Sequence, residues 1–590
     1  MPTLDATAPI EERVQDLLSQ MTLEEKVGQM FHTMVLIGPD GTLTGAFEQM
    51  GLPSPEDMVV DRQMTHFNLL GAATITEMAQ WHNRLQALTR RTRLQIPITV
   101  STDPRNAFTR NVGTGAATSA FSQWPEALGL AAIGDEELVE RFTDICRQEY
   151  LSIGIRVALH PQLDVTTEPR WARIITTFGE DAAVVARLGA AYIRGFRGDA
   201  VGPQSVSTMI KHFPGGAPLK DGEDSHFPSG REQIYPGGNF EYHLGPFRAA
   251  LAAGATQVMP SYGMPIDAGV EEIACGFNRD LIGRLLREEL GFDGIVCTDW
   301  GLLNDAQVMG QVLAARAWGM EDATPSERAL RALDAGVDQF GGEHCPDLIV
   351  ELVRSGAVTE ERIDVSVRRL LHEKFALGLF EQRDVDVERA ATTAGTDEFR
   401  TEGHRAQSRS VTVLTNNSTS ASLETGGRPT LPIVEGCRLH VEGIDVDVAA
   451  RYGTVVASQA EADVSVIRIA APYEPRPGRF ERRFHSGSLE FADADLAAIL
   501  ATLHAGPTVV DVFLERPAVL ADIVEAAAAV VVDYGCSDED LLNALCGRVP
   551  PEGRLPVDLP RSMAAVVASR TDVAFDTEDP LFRHGHGLTI

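Results

Sequence analysis

The sequence predicts an α/β protein in which a (β/α)8 TIM-like barrel is followed by an open (α/β)6 sandwich domain. Through the first two-thirds of the chain, short apolar runs alternate with helix-like segments, the pattern of parallel strands covered on both faces. A polar stretch interrupts this pattern, and a second alternating series follows. The chain has 590 residues, whereas single cores stop growing near about 250–300 residues, so at least two domains are expected.

We assign residues 1–384 to the barrel. Its apolar runs LQIPITV, GIRVALH, SVSTMI, ATQVMP, GIVC and GVDQF each lead into polar residues or glycines. Active sites of such barrels lie at the carboxyl ends of the strands, where these polar residues fall. A doubly wound sheet has a similar periodicity, so the pattern alone favours the barrel without excluding that fold.

Residues 385–405 are polar and poor in apolar periodicity, which predicts an interdomain linker. Residues 406–590 contain six candidate strands and form the predicted sandwich. No GxGxxG or Walker motif occurs there, so nothing in this domain indicates phosphate binding.

The net charge of −33 argues against nucleic acid as a partner, because nucleic-acid binding needs clustered basic residues. The same charge is repelled by an anionic membrane surface, and no apolar run reaches the length of a membrane span. The seven scattered cysteines form no CxxC or Cys/His cluster, which argues against a zinc site and a disulfide framework. The N-terminal stretch lacks the pattern of a secretory signal, so we expect a cytoplasmic protein.

Asp299 is the acidic residue best placed for catalysis. It ends the glycine-bounded run GFDGIVCTDWG, and Trp300 beside it offers an apolar face to a sugar ring. Hydrolysis of a glycoside needs one carboxylate that captures the oxocarbenium-like centre and one acid that protonates the leaving oxygen. Asp at a strand-to-helix turn is also a common helix cap, which is the structural alternative.

Several segments together resemble glycoside hydrolase family 3. They are RVQDLLSQMTLEEKVGQM, PITVSTDPR, EPRWARIITTFGED, KHFPGG, MPSYG, LREELGFDGIVCTDWG and PLFRHGHGL, in order along nearly the whole chain. The resemblance implies a retaining, exo-acting β-glucosidase that hydrolyses small β-glycosides or oligosaccharides. It implies no cofactor and no metal. Among protein partners we consider only further copies of this chain, in a homo-oligomer.

The resemblance also implies roles for particular residues. Asp299 corresponds to the nucleophile, and Trp300 to the apolar face beside it. The residues that correspond to groups binding the sugar hydroxyls are Asp103, Arg173, Lys211, His212 and Tyr262. Each has a structural alternative: Asp103 as a helix cap, for example, or Arg173 paired with Glu180 or Asp181, with Arg170 then binding the sugar.

Lys211 and His212 set a condition on the backbone. Neighbouring residues of a regular strand point to opposite faces. Both side chains reach one pocket only if the strand has ended or the backbone departs from extended geometry. We therefore predict an unusual conformation there, such as a cis peptide at a non-proline bond.

The resemblance implies a proton-donating glutamate on the second domain. Glu474 lies just past the strand DVSVIRIA and is the first candidate, and Glu481 is the second. Both could instead pair with the arginines around them. A rival is a β-N-acetylhexosaminidase, in which Asp224 and His226 form the acid–base pair. The longer motif spacing and Trp300 count against it, and a catalytically inactive carbohydrate-binding protein is the most distant alternative.

Overall fold

The computed structural model describes residues 8–109, 115–417 and 429–590. The first seven residues of the N-terminal stretch considered above lie outside that range. None of the described helices is both long and apolar enough to cross a membrane.

The first domain is built on eight parallel strands in one sheet, with the eighth strand next to the first. A parallel bridge between Cys297 and Gln339 joins the seventh strand to the eighth and closes the sheet. The predicted barrel is therefore confirmed, and the carboxyl ends of its strands share one rim. In order, the strands are Phe31–Leu36, His66–Leu70, Thr99–Thr102, Ile155–Ala158, Ser207–Phe213, Gln257–Pro260, Ile295–Val296 and Phe340–Gly341.

Helices surround this sheet and bury their apolar faces against it. Several begin with a capping box, in which a threonine side chain and the glutamate three residues later satisfy free amides, as at Thr74 and Thr324. The connection between the first two strands holds only short helical turns, such as Asp57–Asp61. The main helices of the domain are Ile10–Gln20, Leu23–Gln29, Ile75–Thr89, Ala127–Ile133, Glu136–Ser152, Ala182–Arg197, Phe240–Ala252, Asp280–Glu289, Pro325–Ala335, Pro346–Arg354 and Glu360–Ala376.

The predicted linker, residues 385–405, contains helical structure. The helix Val387–Thr393 lies inside it, and the helix Asp397–Ser410 begins there. Asp386 and Thr396 cap these two helices through their side chains. The boundaries 1–384 and 406–590 stay predictions.

The second domain contains a six-stranded sheet with helices on both faces, which confirms the predicted sandwich. Five of its strands are parallel, and Thr412–Asn416 runs antiparallel to its neighbour Ala529–Asp533. The other strands are Arg438–Glu442, Thr454–Val455, Val464–Ala470 and Thr508–Phe513. The helices are Val446–Ala449, Asp493–Ala505, Ala521–Ala526, Asp538–Leu545 and Met563–Ala568.

A loop of the sandwich, residues 471–489, crosses to the rim of the barrel. Arg476 forms an ion pair with Glu223 of the barrel, and the Arg479 amide donates to Gln311 Oε1 over 3.1 Å. We call this segment the sandwich loop. Its contacts place residues of the second domain at the mouth of the first.

Candidate active site

The polar residues at the strand ends meet in one cavity at the barrel mouth, which has a volume of about 680 Å³ together with its opening to solvent. The sandwich loop contributes Phe480 to its wall. The cavity is lined by Met34, Met50, Asn68, Asp103, Leu159, Lys211, His226, Met259, Tyr262, Asp299, Trp300, Gly301, Ala306, Val308, Arg316, Gly342 and Phe480.

Asp299 follows the seventh barrel strand and is only 8% exposed. Its Oδ1 accepts a hydrogen bond from the Trp300 amide over 2.8 Å. Its Oδ2 is buried and has no hydrogen-bond partner among the described residues. One carboxylate oxygen is therefore held in place, while the other is left for a ligand.

Tyr262 lies beside this carboxylate after the sixth strand. Its hydroxyl donates to the Trp300 carbonyl over 2.6 Å. Burial, with the charge of Asp299, raises the pKa of Tyr262 far above its usual value, so the hydroxyl keeps its proton. Tyr262 thus fixes the backbone that carries Asp299 and Trp300.

The Trp300 ring is wedged against the eighth strand. A Cβ atom at Gly341 or Gly342 would lie 2.7 or 2.8 Å from ring carbons, so both positions need glycine. The His32 ring also packs against the indole in an edge-on arrangement, with ring centroids 5.3 Å apart. Trp300 Nε1 is buried without a partner among the described residues. The indole is rigidly placed, with one donor unused.

Asp103 is held through both carboxylate oxygens. Lys211 Nζ donates to Oδ1 and Asn68 Nδ2 donates to Oδ2, each over 3.1 Å. All three side chains are almost fully buried. Asp103 is a fixed acceptor in the cavity wall and does not cap a helix.

His212 reaches the site because the Lys211–His212 peptide is cis, which confirms the predicted departure from extended geometry. Its Nδ1 lies 2.8 Å from Asp164 Oδ2, and its Nε2 lies 3.1 Å from Arg173 Nη1 and 3.8 Å from Asp299 Oδ2. Burial and the Arg173 charge lower the pKa of His212. The ring is therefore neutral, donating to Asp164 from Nδ1 and accepting from Arg173 at Nε2.

Arg173 is part of this network and not of the ion pairs considered as its alternative. Its Nη2 donates to Gln162 Oε1 over 2.9 Å, which leaves Glu180 and Asp181 to other partners. Arg170 forms an ion pair with Glu168 at 2.8 Å. Arg173 is therefore the arginine that lies next to the cavity network.

Comparison with known proteins shows which family the chain belongs to. The family model described as the glycosyl hydrolase family 3 N-terminal domain matches residues 22–372, more than half of the chain.

This chain belongs to glycosyl hydrolase family 3.

Two relatives match it almost end to end. A protein of Emericella nidulans described as beta-glucosidase C is 51% identical over 588 residues, covering 99% of this chain and 93% of its own length. A periplasmic beta-glucosidase/beta-xylosidase of Dickeya chrysanthemi is 40% identical over 610 residues, with coverages of 100% and 91%. The solved beta-glucosidase of Listeria innocua in complex with isofagomine has the same fold, with a TM-score of 0.76, 20% identity and coverages of 98% and 83%.

The two glutamates proposed as proton donors lie on the sandwich loop, and neither lines the cavity. Glu474 is exposed, pairs through its backbone with Ser486, and packs its carboxyl group over Gly487. Glu481 turns its carboxyl group back towards Gly478.

The third candidate donor, His226, does line the cavity. Its Nδ1 lies 2.6 Å from Asp224 Oδ1, while Trp171 donates to the other oxygen of Asp224 over 2.9 Å. Its ring contacts Tyr262, with centroids 4.9 Å apart. The proposed Asp224/His226 pair therefore exists as a structural unit beside the site.

Several residues of this family 3 site were not assigned a role from the sequence, among them four with polar or aromatic side chains. Asp164 comes shortly after the run GIRVALH, but its bond to His212 is a tertiary contact. Asn68 belongs to a strand whose polar residues break the apolar pattern. Arg316 and Phe480 lie in irregular segments that carry no periodic signal.

Arg316 combines deep burial, with 4% exposure, with the lack of a side-chain partner among the described residues. Its side chain has no hydrogen bond to any described residue and no carboxylate within ion-pair distance; it lies over the Tyr262 ring, 5.9 Å from the centroid. A buried guanidinium with open donors is costly unless a ligand or nearby charge compensates it. Within the described residues, no group of three or more His, Cys, Asp or Glu is arranged to hold a metal.

Proposed function

We propose that this protein is a retaining, exo-acting β-glucosidase with Asp299 as its nucleophile. The observation that carries the proposal is the unpartnered Oδ2 of Asp299, buried in a cavity walled by fixed donors and acceptors. The cavity is a pocket at the barrel mouth, which suits one terminal sugar better than the middle of a chain. The names of the relatives point the same way and do not support the hexosaminidase or the inactive binding protein.

Hydrolysis would proceed by double displacement. Asp299 Oδ2 attacks the anomeric carbon as the glycosidic bond breaks, and the leaving oxygen takes a proton from an acid. Water then attacks the same carbon and returns the Asp299 carboxylate, while the conjugate base of the acid takes a proton from the water. The starting anomeric configuration is restored, because two inversions occur.

The sugar-binding groups have distinct tasks in this proposal. Asp103 accepts from hydroxyl groups, and Lys211 donates to them while it holds Asp103. His212 and Arg173 form a neutral–cationic pair beside Asp299. Trp300 covers one face of the ring and offers its free Nε1 as a donor.

We retain Glu474 as the proposed proton donor. Two residues further on, Arg476 pairs with Glu223, so this part of the sandwich loop lies at the barrel rim. The exposed Glu474 carboxyl has no side-chain hydrogen bond within the described residues, and a change of rotamer breaks only its contact with Gly487. His226 competes with it, because His226 already lines the cavity and its Nδ1 lies 2.6 Å from Asp224 Oδ1.

The leaving group separates these donors. Replacing the true donor by alanine slows the hydrolysis of glycosides with poor leaving groups far more than that of glycosides with acidic leaving groups, because acidic leaving groups need little protonation. We expect this selectivity, with recovery by azide, for Glu474→Ala and not for Glu481→Ala. The same behaviour in His226→Ala alone would assign the role to the histidine.

The reaction itself is tested with aryl glycosides. We expect turnover of aryl β-glucosides, little of aryl β-N-acetylglucosaminides, and β-glucose as the first product seen by NMR. Asp299→Asn should abolish turnover, while Asp293→Asn, at an exposed carboxylate of the same strand region, should not. First-formed α-glucose would contradict the mechanism, and preference for the N-acetyl substrate would contradict the sugar assignment.

We infer a small-molecule β-glycoside as substrate, without nucleic acid or membrane as partners. The cytoplasmic location and the homo-oligomer stay predictions. Fractionation of the source cells, and sedimentation of the purified protein, measure them directly.

A further inference from the structure

Asn68 is a buried polar residue whose hydrogen bonding is half complete. It lies on the second barrel strand, lines the cavity and is 3% exposed. Its Nδ2 donates to Asp103 Oδ2 over 3.1 Å, while its Oδ1 has no partner among the described residues. A buried acceptor without a donor destabilises the empty protein, and because Asn68 lines the cavity, a hydroxyl group of a bound ligand can supply the missing donor.

The identity of Asn68 fits this role. An aspartate here would place a second negative charge beside Asp103 and could not donate to it. An apolar residue would leave one oxygen of Asp103 without its donor. The amide is the side chain that holds the carboxylate with one end and presents an acceptor with the other.

The barrel topology defines which part of a sugar Asn68 can meet. Around the closed ring of eight strands, the second and third lie four places from the sixth and seventh. Asn68 and Asp103 therefore lie across the mouth from Tyr262 and Asp299. In a glucopyranose ring, C4 is opposite C1, and the C5 hydroxymethyl group is next to C4. A ring with C1 at Asp299 turns its O4 and O6 edge towards Asn68.

We propose that Asn68 is a specificity-determining residue that recognises the O4 and O6 edge of the bound sugar. Its Oδ1 accepts a hydrogen bond from the O4 or O6 hydroxyl group. The inference rests on the proposed function, because it needs the anomeric carbon at Asp299. If O6 is the donor, Asn68 favours glucose over xylose, which lacks the hydroxymethyl group.

Binding of free sugars tests this without relying on turnover. The affinities of glucose, 2-deoxyglucose, 4-deoxyglucose, 6-deoxyglucose and xylose are measured by calorimetry for the wild type and Asn68→Ala. We expect the substitution to weaken glucose binding about tenfold, the size of one such hydrogen bond. One analogue, 4-deoxyglucose or 6-deoxyglucose, lacks the hydroxyl group that Asn68 contacts. For that analogue the substitution should weaken binding by about twofold or less, because neither protein can form the hydrogen bond.

A merely structural role gives a different result. If Asn68→Ala weakens glucose and all four analogues equally, or if the loss disappears only for 2-deoxyglucose, the proposal is wrong. Asn83→Ala is the matched control, since Asn83 binds Val385 away from the cavity and should leave the sugar preferences unchanged. A wild type that binds glucose but hydrolyses no β-glucoside would reject the proposed function and leave this test intact.

Discussion

Asp164→Asn should show how strongly the orientation of His212 supports catalysis. Asp164 is fully buried, and its Oδ1 accepts hydrogen bonds from the amides of His212 and Gly216. Its Oδ2 accepts from His212 Nδ1 over 2.8 Å. The asparagine has the same shape but presents an NH2 group to one of these donors.

The substitution creates a conflict that the ring cannot avoid. With Nδ1 facing an NH2 group, His212 must change tautomer and carry its proton on Nε2. That proton then faces the Arg173 guanidinium, whose Nη1 lies 3.1 Å away. Two charge-assisted hydrogen bonds are lost or reversed, each worth about 1.5–3 kcal/mol. A loss of about 3 kcal/mol in transition-state stabilisation lowers kcat/KM by about 10²-fold.

The assay is kcat/KM on an aryl β-glucoside from pH 5 to 8, with circular dichroism to check folding. Lower pH should not restore activity, because Asp164 favours the protonated ring and its removal lowers the pKa of His212 further. Asp181→Asn is the control, since the new side chain still caps the helix Ala182–Arg197. A folded Asp164→Asn protein within about threefold of wild type, a difference of only about 0.7 kcal/mol, would refute the argument.

Three further changes test other parts of the structure. Arg316→Met should raise KM for glycosides by at least about tenfold without unfolding the protein, because its guanidinium has no acceptor in the described residues; an unchanged KM would exclude it from binding. Gly342→Ala should lower activity, because the new methyl group crowds Trp300 and the backbone is strained at φ +72°. If the tryptophan fluorescence of the variant keeps the wild-type quantum yield, this reasoning is wrong. Burial lowers the pKa of His82 to about 4, so the folded protein loses stability as pH falls below the unfolded value of about 6.5. Measured by urea unfolding, the free energy of unfolding of the wild type should fall by about 2 kcal/mol relative to that of His82→Gln between pH 7 and pH 5. A difference between the two proteins that does not change with pH would contradict this sign.

The sequence pattern predicted the architecture because apolar strands buried on both faces leave a strong local signal. The six runs recognised from the pattern correspond to the third to eighth strands of the barrel. The first two strands carry His32, His66 and Asn68, which interrupt the apolar pattern and hide them. Asn68 was missed for the same reason.

Other features depend on tertiary contacts that no local pattern records. The neutral state of His212 follows from its burial and the Arg173 charge, and its orientation follows from the hydrogen bond to Asp164; both partners approach it from separate segments. The segment predicted as a linker forms helices, because Asp386 and Thr396 cap short stretches with little periodicity. Side chains of an irregular loop, such as Glu474, have positions that a single sequence does not specify.

The central claim is that Asp299 forms a covalent bond with the sugar. The most direct measurement is mass spectrometry of the protein after incubation with an activated 2-deoxy-2-fluoro-β-glucoside, followed by proteolysis. The fluorine destabilises the oxocarbenium-like transition state, while the good leaving group lets the first displacement proceed. We expect one glycosyl adduct on the peptide containing Asp299. An adduct on another carboxylate, or full turnover by Asp299→Asn, would contradict the account.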